Sequence, residues 1–388
     1  MFMSLRLVLL GPSSGRPPNC CASSRFLTRF FSSRAAPTST VTLGILRETY
    51  NTWERRTPLT PRQVEELLHN TSAGCSTPLP ANGETRAKIL KVHVERCNKR
   101  VFSDSSYQQA GAELVDTISD QADIILSVKR PQDAHTLLPN KTYAFFSHVI
   151  KGQEENMDIL QSCLHKNIQL FDYEKILQPD GKRVVSFGRF AGLAGAIDTL
   201  HGLGVSFANQ GIWTPFNVFP QTVYNTDLED ARNHVCKLSE SIATKGIQND
   251  EPIVFAVTGK GGAVHGGVME ILRMLPHEMV LPESLPDLLQ QHRDSTTIQK
   301  KVYIVELATS DLFTRADGSF DRADFGQNPS QYRSIFPERV APFAKVVVNC
   351  AYWDLRFPRI LSKEDAKALH NEGNFRTALL SDIRYVHY

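Results

Sequence analysis

The chain has 388 residues, 41% of them hydrophobic, and a formal net charge of +2 at neutral pH. That is enough apolar material for two cores, or for one large core with an extension. A charge this close to balance gives no reason to expect nucleic acid as partner, and no run of about eighteen apolar residues is present to span a bilayer.

The first stretch, 1–40, contains no acid; the earliest is Glu48. It carries Arg6, Arg16, Arg25, Arg29 and Arg34 among many serines. Arginine-rich, serine-rich and acid-free is the composition of a mitochondrial or plastid transit peptide, and of the two this stretch is expected to direct the chain to the mitochondrial matrix. The folded part is expected from Val41, where VTLGIL reads as a strand. Thr60 suits an N-cap, Pro61 a first helical turn, and Gln63 completes a capping box. Val64, Leu67 and Leu68 then give one apolar stripe of a helix. Residues 70–86, rich in Ser, Thr, Gly and Pro, read as a loop or insertion.

Strand-like and helix-like segments alternate from there: LKVHVE (90–95), ADIILSV, TYAFF, the helix NMDILQSCL, then IQLFDYE, RVVSFG and a helix of small residues, FAGLAGAIDTLHGLG. Such alternation implies a mostly parallel sheet. Two of these segments stand out. Ile124–Val128 runs into Lys129, and Thr142–Phe146 runs almost at once into His148. In open α/β sheets chemistry collects outside the carboxyl ends of parallel strands, and a lysine and a histidine there can both move protons near neutral pH. Taken alone, the same two residues also fit a snorkelling lysine and a capping histidine.

The second half repeats the theme with the strand PIVFAV, the helix VMEILRML and the strands KVYIVEL, AKVVVNC and ALLSDI. Ser310–Phe343 reads as loops and short helices. Between PIVFAV and its helix lies Thr258-Gly259-Lys260-Gly261-Gly262-Ala263-Val264-His265-Gly266-Gly267. Strand, glycine-rich turn and helix in this order suit a dinucleotide pyrophosphate. Gly259 would make the tight turn, Gly261 would admit the phosphates, and Gly266 or Gly267 would let the helix pack close to the sheet. The spacing is GxGxxxxG rather than GxGxxG, because Val264 takes the usual third position. The second strand of the unit is expected at MVLPES, near Leu281. No acid ends it, which leans toward NADPH over NADH. The seven cysteines form no CxxC pair and no zinc array, so free thiols in a reducing compartment and no metal site are expected. Cys350 reads as a packed core thiol.

The stretches WERRTPLTP, VFSDSSYQQAGAEL, ILSVKRP, KTYAFFSHVIKGQEENM, DYEKI, GKRVVSFGRFAGLAG, FAVTGKGGAVHGG and ERVAPFAKVVVNCAYW carry a family resemblance. They resemble the lysine–2-oxoglutarate reductase half of the bifunctional α-aminoadipic semialdehyde synthases, within the alanine dehydrogenase and transhydrogenase superfamily. The resemblance implies an α/β fold of two Rossmann-like, doubly wound parallel-sheet domains with a cleft between them. It divides the chain into a substrate domain over 41–190 and an NAD(P)-binding domain over 191–388, the latter expected to be truncated at its C-terminus. It implies that L-lysine and 2-oxoglutarate are joined through an imine and reduced by NADPH to saccharopine, with a separate saccharopine dehydrogenase activity to follow. A homo-oligomer is compatible with it. By resemblance, Lys129 and His148 are the catalytic acid–base pair, while Arg56, Glu174 and Arg183 bind substrate. Thr258, Gly259, Gly261 and Gly266 fall in the cofactor turn. Arg56 and Arg183 are expected to depress the pKa of Lys129. The competing readings are an alanine dehydrogenase-like oxidoreductase and a catalytically inactive nucleotide-binding paralogue or fragment.

Overall fold

The computed structural model describes residues 40–72, 88–293 and 298–383. The segment up to residue 39, expected to be a transit peptide, most of the 70–86 loop and the last five residues lie outside the described residues. The chain divides into two compact units between Ser186 and Phe187.

The first unit holds β1 (Thr40–Ile45), α1 (Pro61–Ser72), β2 (Lys88–Glu95), α2 (Asp104–Gln109), β3 (Glu113–Val115), β4 (Ile124–Lys129), β5 (Thr142–Phe146), α3 (Met157–His165) and β6 (Gln169–Asp172). The Thr60–Gln63 box starts α1 as expected: the Thr60 N–H donates to the Gln63 side chain at 2.9 Å and the Gln63 N–H to Thr60 Oγ1 at 3.3 Å. All six strands pair in parallel, in the order β3-β2-β1-β4-β5-β6. The winding direction reverses between β1 and β4, which makes their carboxyl ends the switch point of the sheet. β4 is buried from Ile124 to Val128 and emerges only at Lys129, the pattern of a central parallel strand covered on both faces.

RVVSFG is not a sheet strand. Gly181, at φ +79°, turns the chain back, and Gln178 N–H and Val184 N–H donate to Lys182 and Ile176 carbonyls, closing a small hairpin. Arg183 therefore bridges only to Leu177.

The second unit holds α4 (Gly188–Asn209), α5 (Leu228–Lys245), β7 (Val254–Thr258), α6 (Ala263–Leu272), β8 (His277–Met279), α7 (Leu285–Arg293), β9 (Val302–Leu307), β10 (Phe313–Thr314), β11 (Arg333–Ser334), β12 (Val346–Asn349), α8 (Lys363–Asn371) and β13 (Leu379–Asp382). Five strands form a parallel sheet in the order β13-β12-β7-β9-β8. Alternation along β7 sends Phe255 and Val257 into a core with α4, α5 and α6, and Val254 and Ala256 into a second core on the other face. Helix α5 escaped the sequence reading, although Asp227 caps it and Ala231, Val235, Leu238 and Ile242 line its buried face.

Two sequence expectations change here. The strand beside β7 is β9, not the MVLPES segment; β8 lies at the sheet edge and Leu281 is exposed. The glycine pair of α6 also acts differently. A Cβ on Gly267 would fall 2.1 Å from the Arg189 carbonyl oxygen, and one on Gly192 would fall 2.0 Å from that of Val264. Gly267 thus admits helix α4 rather than the sheet, while Gly266 faces open space.

Candidate active site and glycine-rich turn

At the switch point of the first sheet, Glu48 follows β1 and turns its carboxyl to the end of β4. Val128 N–H donates to Glu48 Oε1 at 2.6 Å and Lys129 N–H to Oε2 at 3.0 Å. Ser127 Oγ donates to the Lys129 carbonyl at 2.7 Å, so the main chain of Lys129 is held on both sides. Glu48 is only 6% exposed, and burial pushes its carboxyl up to about 7 against those two hydrogen bonds. Sequence reading missed this group, because its partners lie eighty residues away in the chain.

Lys129 is half-buried, its Nζ 5.8 Å from the centre of the Tyr50 ring. Burial lowers its pKa, followed by repulsion from Arg56; Glu54 and Glu48 oppose this, and Lys151 adds to it. Arg183, expected to share in that depression, is not among the leading charges that act on Lys129. Lys151 takes that place because the hairpin directs Arg183 to Glu174 instead.

Arg56 brings its own carboxylate. Its Nε donates to Glu54 Oε1 at 2.7 Å and its Nη2 to Oε2 at 2.5 Å, a two-point fork. Burial would raise Glu54, yet the Arg56 hydrogen bonds hold it below the ordinary carboxylate range.

His148 lies two residues beyond Phe146, whose register partner on β4 is Lys129. Its backbone is left-handed, at φ +57°, a conformation that non-glycine residues adopt only under local constraint. The constraint is visible: Asp172 Oδ2 accepts the His148 N–H at 3.1 Å and the Ser147 hydroxyl at 2.5 Å. His148 Nδ1 lies 3.0 Å from Glu174 Oε2, so a neutral ring that donates from Nδ1 presents the lone pair of Nε2. Glu174 is 7% exposed and also receives Arg183 Nη1 at 3.1 Å and Lys151 Nζ at 3.7 Å. The His148 hydrogen bond, together with the charges of His148, Lys151 and Arg183, overcomes burial and holds Glu174 down at about 2. One end of one sheet thus gathers Lys129, His148, Glu174 and Arg183 with Glu48 and Lys151.

In the second unit, the turn after β7 is built of backbone. Gly259 stands at φ +73°, and a Cβ there would fall 2.8 Å from the Cys350 carbonyl; Gly261 stands at φ +84° with nothing within 4 Å of its Cβ position. Positive φ twice in three residues is costly for any side chain but not for glycine. Thr258 is fully buried. Its hydroxyl donates to Asn349 Oδ1 at 2.7 Å and accepts from Cys350 N–H at 3.0 Å, so it ties β7 to β12. Gly262 caps the ten-residue helix α6, and Lys260 N–H donates to the Leu307 carbonyl at the end of β9. The open space at Gly261 before a helix N-terminus fits an anionic phosphate group. His265 is buried, its Nε2 3.1 Å from Glu306 Oε1. Cys350 is a buried free thiol, as the sequence suggested.

Two parallel-sheet α/β units with these strand ends define the fold class, that of the alanine dehydrogenase-like Rossmann proteins. An L-alanine dehydrogenase structure superposes with a TM-score of 0.51 at 14% identity, over 89% of this chain and 74% of that one. Residues 44–194 match the alanine dehydrogenase/PNT N-terminal domain. More particularly, the chain is similar to the α-aminoadipic semialdehyde synthases. It is 38% identical to that of Arabidopsis thaliana over 85% of this chain and 30% of the relative, and 36% identical to the mitochondrial one of Bos taurus over 85% and 33%. A saccharopine dehydrogenase [NAD(+), L-lysine-forming] of Candida glabrata is 30% identical over 40% of this chain and 38% of the relative. The chain spans about a third of the length of the α-aminoadipic semialdehyde synthases it matches.

Proposed function

We propose that the chain condenses L-lysine with 2-oxoglutarate and reduces the imine to saccharopine with NADPH. The observation that carries this reading is the pairing of Lys129 and His148 at the ends of adjacent parallel strands, each backed by a buried carboxyl of opposite character. The relatives' names support the substrate class, since they include an L-lysine-forming saccharopine dehydrogenase.

Joining the substrates requires a neutral lysine amine and a proton for the departing hydroxyl. His148 Nε2 takes the proton from the amine, and Glu174 stabilises the imidazolium that results. Lys129, with its lowered pKa, gives its proton to the carbinolamine oxygen, which leaves as water. Arg183, half-exposed, and Lys151 offer positive charge to substrate carboxylates, and Arg56 does so through its fork. Bound NADPH supplies the hydride. Gly259, Gly261 and the N-terminus of α6 would hold its pyrophosphate.

The preference for the 2′-phosphate rests on the end of β9 rather than on Leu281. The acids there are already engaged, Glu306 by His265 at 3.1 Å and by Arg273 at 3.4 Å, and Asp311 by the Ala308 N–H at 2.7 Å, while Arg322 Nη1 donates to Thr309 Oγ1 at 2.6 Å. Residues 41–190 would act as the substrate domain and 191–388 as the nucleotide domain. The product would pass to a separate saccharopine-oxidising activity, and subunit mass measurement tests for a homo-oligomer. The arginine-rich start supports a matrix location, tested by fusing residues 1–40 to a fluorescent reporter.

The deciding assay follows NADPH oxidation by the purified chain. Turnover that needs both L-lysine and 2-oxoglutarate, and none with pyruvate and ammonia, is the expected result. Turnover with pyruvate and ammonia instead would favour an alanine dehydrogenase-like enzyme, and NADPH binding without turnover an inactive paralogue.

A further inference from the structure

We propose that Glu48 is the positioning residue for Lys129: its carboxylate fastens the carboxyl end of β4 to β1 and so sets where the lysine ammonium stands. This deepens the proposed reaction and rests on the role given to Lys129 there.

Glu48 spends both carboxylate oxygens on consecutive main-chain N–H groups, those of Val128 and Lys129. A structural carboxylate of this burial is ordinarily matched to a cation, as Glu54 is to Arg56 and Glu174 is to His148. Among the described residues Glu48 instead hydrogen-bonds the strand end that delivers Lys129, at the point where the sheet changes direction. The strand needs such a tie, because the β4–β5 ladder is irregular between Leu126 and Lys129. Glu48 also lines a cavity of about 410 Å³ with Arg47, Arg96, Lys99 and Asp104, which opens it to protons from solvent.

The groups that act on it are few. Glu54 and Arg56 act from its own loop and Lys129 from β4, while buried Tyr173 feels its charge from beyond β6. With burial holding Glu48 at about 7, acidification removes the charge that accepts both N–H groups and loosens the tie. Lys129 is therefore held best in the ionised state of Glu48, on the alkaline side of neutrality.

The test uses the full chain carrying Glu48→Gln or Glu48→Asp. Glutamine keeps the shape but offers one acceptor and one opposed donor to the two N–H groups; aspartate keeps the charge on a shorter arm. For Glu48→Gln we expect kcat to fall about tenfold or more while KM for both substrates stays within about threefold, as misplacement of a reacting group does. The acid limb of kcat near pH 7 should vanish, and Glu48→Asp should restore that limb. Two readouts need no turnover: the pH midpoint for modification of Lys129 by trinitrobenzenesulfonate, followed by peptide mass spectrometry, and amide exchange at Val128 and Lys129. In Glu48→Gln the midpoint should move to lower pH and exchange should quicken. An unchanged midpoint and unchanged exchange in both folded variants would overturn the inference. A wild type that shows these effects without lysine-dependent NADPH oxidation would instead refute the proposed reaction alone.

Discussion

The two sheets end in different materials. At the carboxyl ends of β1, β4, β5 and β6 ionisable side chains are engaged by the protein itself: Glu48 by the Lys129 main chain, Arg56 by Glu54, His148 by Glu174. At the carboxyl end of β7 the chain offers bare peptide, two left-handed glycines and a helix N-terminus. The contrast follows from what each surface can do. Paired ionisable groups hold and move protons on a small polar substrate, whereas side-chain-free backbone admits an extended anion closely.

The comparison breaks most visibly at Lys129. Lys129→Met should lower lysine-dependent NADPH oxidation by about 10²–10⁴, the usual worth of a general acid. NADPH binding, read by fluorescence quenching, should be unchanged, because the loss belongs to the first unit alone. His148→Gln should act the same way. Equal turnover in either variant would remove it from the acid–base pair.

The reverse experiment is Gly261→Val. The added Cβ meets no atom within 4 Å, so the expected cost is the left-handed backbone and the lost approach of an anion. NADPH affinity should fall by about tenfold or more, with the strain itself near 1–2 kcal/mol. Lys129 modification should stay as in the wild type.

A smaller effect is expected from Arg322→Ala. It should weaken NADPH binding several-fold and leave NADH binding nearly unchanged, since a guanidinium rewards a phosphate and not a hydroxyl. Equal weakening of both would move the 2′-phosphate elsewhere.

The smallest effects are in stability against pH, and they have opposite signs within the first unit. Glu174 is lowered from 4.5 to about 2, so its contribution is present above 4.5 and is lost as pH falls through 2. Glu48 is raised from 4.5 to about 7, so its contribution is full below 4.5 and is lost as pH rises through 7. Melting curves across pH should therefore lose their acid slope in Glu174→Gln and their slope between 4.5 and 7 in Glu48→Gln.

Much of the frame was legible in the sequence. Apolar runs of parallel-strand character located β4, β5, β7, β9 and β12, and the residues that end β4 and follow β5 are those that face Glu48 and Glu174. What could not be read was long-range. Parallel pairing carries no local period, so nothing near Glu48 announces Val128 and Lys129 as its partners. Strand order is equally silent: MVLPES and KVYIVEL both follow the glycine turn, and only packing decides that the longer, largely buried β9 takes the place beside β7. RVVSFG misled because its composition suits a strand while Gly181, just before it, closes a hairpin. α5 was legible and overlooked, with its cap and its apolar spacing both in plain sequence.

The Arg56–Glu54 fork has a calorimetric consequence. A ligand carboxylate that takes this edge of Arg56 displaces an anion already there. Glu54 then loses the hydrogen bonds that hold it acidic and keeps the burial that pushes it the other way. Its proton affinity rises on binding, so complex formation takes up a fraction of a proton from the medium. The observed heat of binding should accordingly change with the ionisation enthalpy of the buffer, and Glu54→Gln should abolish that dependence.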